Sequence, residues 1–84
     1  MKPIRLSAHA LGYTLRRGFT VEEVEQAIRN NAWQATELGR LECRMDFSFA
    51  KEWNGKVYNT KQVRPIFVEE QNEIVVITVY TYYF

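Results

Sequence analysis

The sequence predicts an α+β protein in which two N-terminal helices pack on a four-stranded antiparallel meander, in the order ααββββ. Three observations predict it. Apolar residues recur at helical spacing between two capping signals in the first third, the period switches to two from Leu41 onward, and Asn54-Gly55 separates two strand-like runs. With 84 residues there is room for one domain, 1–84, and for a core of modest size.

The first helix is expected to begin at Ser7, whose hydroxyl accepts from the free amides of the first turn. It should end before Gly18, the residue best suited to a left-handed helix stop. Ala8, Leu11 and Leu15 fall on one side and are expected to face the core, while His9, Tyr13 and Arg16 form an opposite stripe with Arg17 at its edge. The second helix carries a full start signal. Thr20 caps it, Glu23 closes a capping box, and Phe19 and Val24 are spaced as a hydrophobic staple. Val21, Val24 and Ile28 supply its apolar side, and Asn30-Asn31 stops it.

A short strand around Trp33–Glu37 leads through Gly39 into a longer one. There Leu41, Cys43, Met45, Phe47 and Phe49 alternate with Glu42, Arg44, Asp46 and Ser48, the pattern of one packed and one wet face. Asn54-Gly55 tolerates the positive φ of a tight hairpin and returns the chain into a third strand over about 57–69. Pro65 cannot donate to a ladder, so an edge or a bulge is expected there. Glu70 to Glu73 form a polar turn. Ile74–Tyr83 carries Ile, Val and Tyr on both faces and reads as a central strand.

Charge narrows the function classes. The formal net charge is only +1, yet all 11 Lys and Arg lie in residues 1–64 and the last 20 residues carry only acids. That permits a local basic patch and argues against a broadly basic nucleic-acid binder. Cys43 stands alone, which excludes an internal disulfide and Cys-rich zinc sites and fits a reducing cytoplasm. The start lacks the apolar stretch of a signal peptide, and no run reaches the roughly 20 apolar residues of a membrane span. With one histidine and no paired carboxylates, neither a metal nor another cofactor is expected. Gly-rich phosphate loops and nucleophile triads are absent too.

RNA cleavage, an activity implied by the resemblance of the segments around His9 and Arg17 to a family related to a toxin fold, makes three demands. The 2′-hydroxyl must lose a proton, the phosphorane needs cations, and the leaving oxygen needs a proton. His9 has the right chemistry for base or acid, Arg17 and Arg64 for the cations, and Tyr80 for a proton donor or base-stacking ring. Arg16, Arg44, Lys61 and Tyr82 are the expected RNA contacts. Plainer roles compete with these. Arginines in a last helical turn also serve its carbonyls and dipole, basic residues on strands also protect edges, and a histidine near a helix start also bonds backbone.

Ser7-x-His9-Ala10, then Arg17-Gly18-Phe19-Thr20 with Glu22-Glu23-Val24, and the closing Ile77-Thr78-Val79-Tyr80, resemble a small prokaryotic family of unknown function related to the RelE/ParE-like toxin fold. The resemblance spans nearly the whole chain, although its motifs are short. It maps the family's histidine to His9, its helix-ending arginine to Arg17 and its Thr-Val-Tyr to Thr78, Val79 and Tyr80. Tyr13 departs from it, since relatives often carry a basic residue one turn after the histidine. RelE-like toxins cut messenger RNA on the ribosome, whereas ParE-like ones inhibit gyrase, so fold kinship leaves the activity open. The resemblance thus implies a toxin-like, metal-independent endoribonuclease acting on RNA or the ribosome, with a cognate antitoxin as partner. The alternative is a non-catalytic interaction domain, and a homodimer through the Pro65 edge or the aromatic terminus is a third expectation.

Overall fold

The computed structural model describes all residues, Met1–Phe84. In order, the elements are β1 (Ile4–Leu6), α1 (Ala8–Leu11), α2 (Thr14–Arg17), α3 (Val21–Asn30), β2 (Gln34–Ala35), a 3-10 turn (Glu37–Gly39), β3 (Leu41–Glu42), β4 (Met45–Trp53), β5 (Lys56–Glu69) and β6 (Ile74–Tyr83). Class α+β is right, but the expected two helices on a four-stranded antiparallel meander are not what forms. Three helices lie with a six-stranded mixed sheet of order β1-β6-β5-β3-β2, in which β4 also pairs with β5. The parallel member is β1, which joins β6 in the register Ile4↔Ile74 to Leu6↔Val76. No helix is long and apolar enough to cross a membrane.

The single first helix is in fact two short ones. Gly12, a weak helix former, and Tyr13 at φ −105°, ψ 3° interrupt it. Ala10 is fully buried, whereas Leu11 and Leu15, expected in the core, are 49% and 91% exposed. Ala8 is exposed as well. Ser7 does cap α1, accepting from the Ala10 amide at 3.1 Å, and Gly18 ends α2 in the left-handed conformation at φ 76°.

The second predicted helix forms as α3, with its capping box complete. The Thr20 hydroxyl accepts from Glu23 N at 3.1 Å, and Glu23 Oε1 accepts from Thr20 N at 2.9 Å. Val24, Ala27 and Ile28 of this helix join Phe19, Phe67, Val76 and Val79 in one core. Burying those side chains at about 25 cal/mol per Å² of apolar surface is the main favourable contribution to folding.

The long strand expected from Leu41 breaks at Cys43-Arg44 into β3 and β4, both paired to the same side of β5. That gap explains Pro65. The strand β5 is central rather than an edge, but Pro65 lies between the β4 ladder ending at Met45↔Val63 and the β3 ladder starting at Glu42↔Ile66, and a register shift follows at Ile66/Phe67. The Asn54-Gly55 turn has φ of 52° and 85°, the twist a tight hairpin requires.

Trp53, from the hairpin end, stacks on Tyr83 at 4.8 Å and 15°. This stack closes over Gly18, fastening the hairpin and the C-terminal strand onto the end of α2. Because β1 accompanies β6 only as far as Val76, the edge of β6 from Ile77 onward faces α1 and α2 instead of a strand. The candidate site lies along that edge.

Candidate functional site

Where β1 leaves the sheet, backbone carbonyls of β6 lose their strand partner and side chains replace it. Ser7 Oγ donates to Ile77 O at 3.0 Å, and Arg17 Nη1 donates to Val79 O at 2.9 Å and to Thr78 Oγ1 at 3.2 Å. In return β6 holds the end of α2, since the Thr81 hydroxyl and the Tyr83 phenol (2.9 Å) both donate to the Arg17 carbonyl. Burial pushes the Tyr83 phenol above its usual range, which keeps that donor protonated.

These contacts shape an open hollow of about 630 Å³ lined by Ser7, His9, Arg17, Arg40, Thr78 and Tyr80 among others. The Arg17 guanidinium lies 4.1 Å from the Tyr13 ring centroid and 5.1 Å from that of Tyr80, so two aromatic rings bracket it. Only its Nη1 is engaged by the protein, and it has no carboxylate partner. The exposed His9 ring packs on Tyr13 at 4.8 Å and makes no hydrogen bond within the protein. Two arginines, one imidazole and one phenol thus border a hollow without a carboxylate. Such a place favours an anion with ionisable groups beside it.

Of the four expected catalytic residues, His9, Arg17 and Tyr80 share this hollow. Arg64 lines a neighbouring one and is already neutralised. Its Nε and Nη2 donate to Glu42 at 2.9 and 2.8 Å, and its Nη1 to the Tyr82 hydroxyl at 3.2 Å. Glu42, expected on the wet face, is buried by this pairing. The Arg64 guanidinium holds the Glu42 carboxyl below the usual carboxylate range. Arg64 also lies 5.5 Å from the Tyr80 centroid, so it positions that ring rather than offering a free cation.

The expected RNA contacts scatter. Lys61 is 7% exposed and sealed onto Glu23 Oε2 at 2.8 Å and the Gly18 carbonyl at 2.9 Å, which is a structural role. Arg44 is exposed and approaches Glu42 at 3.6 Å, outside the hollow. Tyr82 accepts from Arg64. Arg16 is exposed, 5.4 Å from the Tyr13 centroid. Arg40, which the sequence reading passed over, lines the hollow. It follows Gly39 in a turn, and only the Gly39 punctuation marked that segment.

Cys43 is buried, and desolvation pushes its thiol up to about 11, so it is an inert core group. No three of His, Cys, Asp and Glu come together as a metal-ligand cluster.

Glu42→Gln tests the Arg64 network. It leaves a half-buried guanidinium short of its partner and is expected to lower stability by about 2–3 kcal/mol at neutral pH in urea unfolding. The folded-state pKa of Glu42 lies below its unfolded value, so the pair contributes fully above the ordinary carboxylate range and its contribution is lost as pH falls through the depressed value. The gap between wild type and Glu42→Gln should therefore shrink below about pH 4.

No protein-family model, no curated protein and no solved structure matches this chain. The functional reading accordingly rests on the residues and geometry just described.

Proposed function

We propose that this protein is a toxin-like endoribonuclease that cleaves single-stranded RNA by metal-independent acid–base chemistry. The observation that carries the reading is the hollow itself, where the Arg17 guanidinium, the His9 imidazole and the Tyr80 phenol converge with no carboxylate to neutralise them. His9 takes the proton of a ribose 2′-hydroxyl as its oxygen attacks the adjoining phosphorus. Arg17 stabilises the charge that builds on the phosphorane. The bond from phosphorus to the 5′-oxygen breaks, and Tyr80 supplies the proton that the leaving oxygen takes. The products are a 2′,3′-cyclic phosphate and a free 5′-hydroxyl. This reading implies a cognate antitoxin as partner.

Inducible expression in bacteria tests it. Wild type is expected to arrest growth and fragment messages, while His9→Ala, which removes an exposed ring without a hydrogen bond, is expected to accumulate harmlessly. Unimpeded growth with intact RNA contradicts the nuclease reading, and recovery of a stoichiometric protein partner alongside that result favours an interaction domain.

A further inference from the structure

We propose that Arg40 binds the phosphate between two nucleotide subsites, so that the protein grips a strand of at least two nucleotides rather than a single nucleotide. This deepens the nuclease reading and rests on it. Two hollows meet at this residue. The one containing His9 and Arg17 and a smaller one of about 250 Å³, bordered by Thr36, Glu37, Leu38 and Arg64, both count Arg40 and Tyr80 in their walls. A group bound at the shared wall touches both.

Three features make that group a phosphate. Arg40 is part-exposed, and its guanidinium has neither a hydrogen bond nor an ion pair within the protein, unlike Arg64 beside it, which Glu42 holds through two nitrogens. All of its fork geometry is therefore open to phosphate oxygens. Arg17, held by the protein only at Nη1, borders the same hollow from α2, so an anionic group bound there meets two guanidinium groups and no carboxylate. Finally, Tyr80 stands in the shared wall, 40% exposed as a residue, and offers a base whatever ring surface Arg17 and Arg64 leave uncovered.

The smaller hollow differs in carrying a carboxylate, Glu37, and apolar side chains, Leu38 and Ile66, beside its arginines. Glu37 repels a phosphate there but accepts from a ribose hydroxyl or an exocyclic amine. Leu38 is 83% exposed and held at φ 60°, a conformation that costs a non-glycine residue of order 1 kcal/mol or more. The turn sustaining it is tied by Thr36 N to Arg40 O at 2.8 Å and Arg40 N to Glu37 O at 3.1 Å. The same turn thus aims Leu38 outward and places Arg40 at the shared wall. A nucleoside fits the small hollow, its phosphate meets Arg40, and the nucleotide being cleaved lies by His9 and Arg17.

The test is equilibrium binding of 2′-fluoro RNA of one, two and four nucleotides, which carries no attacking hydroxyl, to wild type, Arg40→Ala and Arg40→Lys. Wild-type affinity should rise about tenfold from one nucleotide to two. In Arg40→Ala that rise should vanish, and the slope of log affinity against log salt for the four-nucleotide ligand should fall by about 0.7, one phosphate contact. Arg40→Lys should keep the salt slope and part of the rise. Thermal midpoints should stay equal, because the guanidinium holds nothing in the fold. If wild type gains affinity with length and Arg40→Ala gains it equally, the two-subsite proposal is wrong while the nuclease reading stands. Binding that does not rise from one nucleotide to two also overturns the two-subsite proposal alone. Absence of binding at every length overturns both.

Discussion

Replacing Arg17 with alanine is expected to slow RNA cleavage by about 10²–10³-fold, measured as kcat/KM on a short single-stranded RNA. The guanidinium is held at one nitrogen by Val79 O and Thr78 Oγ1 and flanked by Tyr13 and Tyr80, which orients its other donors into the hollow. Preorganisation of this kind matters most when charge develops, so the loss should fall mainly on kcat. The structural cost is smaller. Two bonds to a part-exposed edge disappear, worth about 1–2 kcal/mol in stability. Arg17→Lys separates the contributions, because an ammonium restores charge but lacks the fork that reaches edge and ligand together. Its activity should lie between wild type and Arg17→Ala. Equal activity in wild type and Arg17→Ala would remove Arg17 from the chemistry.

Gly18→Ala carries the largest expected stability effect, about 2–4 kcal/mol. At φ 76° an alanine is strained by about 1 kcal/mol, and its Cβ would press on the Tyr83 hydroxyl and come within 2.6 Å of the Trp53 ring. Neither ring yields easily, since the two are stacked and Tyr83 is bonded to Arg17 O. A matched control exists in Gly55→Ala. Gly55 has φ 85° with open space around it, so only the backbone strain applies and about 1 kcal/mol is expected. Urea unfolding of the two variants separates crowding from strain. Because Gly18 follows Arg17, the substitution should also lower cleavage, through displacement of the guanidinium rather than its removal.

Local chemistry was readable in the residues and distant pairing was not. The Thr20–Glu23 box, the Asn54-Gly55 turn and the extent of β6 depend on neighbours a few positions away, and each forms where the pattern placed it. The strand β1 escaped because three residues carry no period and their partner begins at Ile74, some 70 positions on. The misassigned core face of the first helix traces to Ala10, the one residue α1 buries, so that Ala8 and Leu11 before the Gly12-Tyr13 break and Leu15 after it all face outward.

The candidate site divides along the same line. His9, Arg17 and Tyr80 were identified from side-chain chemistry, and the fold brings them to one hollow. Lys61 and Arg64 have equally suitable side chains, but Glu23 and Glu42 reach them from 38 and 22 positions away. No spacing rule reveals such pairs. Arg40 sits in an irregular turn, where no periodicity marks a residue as facing anything.

The most direct measurement incubates the purified protein, with chelator present, with a short single-stranded RNA and with the same strand carrying one 2′-deoxy nucleotide at the cleaved position. A ribonuclease built on His9, Arg17 and Tyr80 should yield a 2′,3′-cyclic phosphate and a 5′-hydroxyl from the first and leave the second intact at that position. Intact RNA in both reactions, or cleavage that ignores the missing hydroxyl, would contradict it.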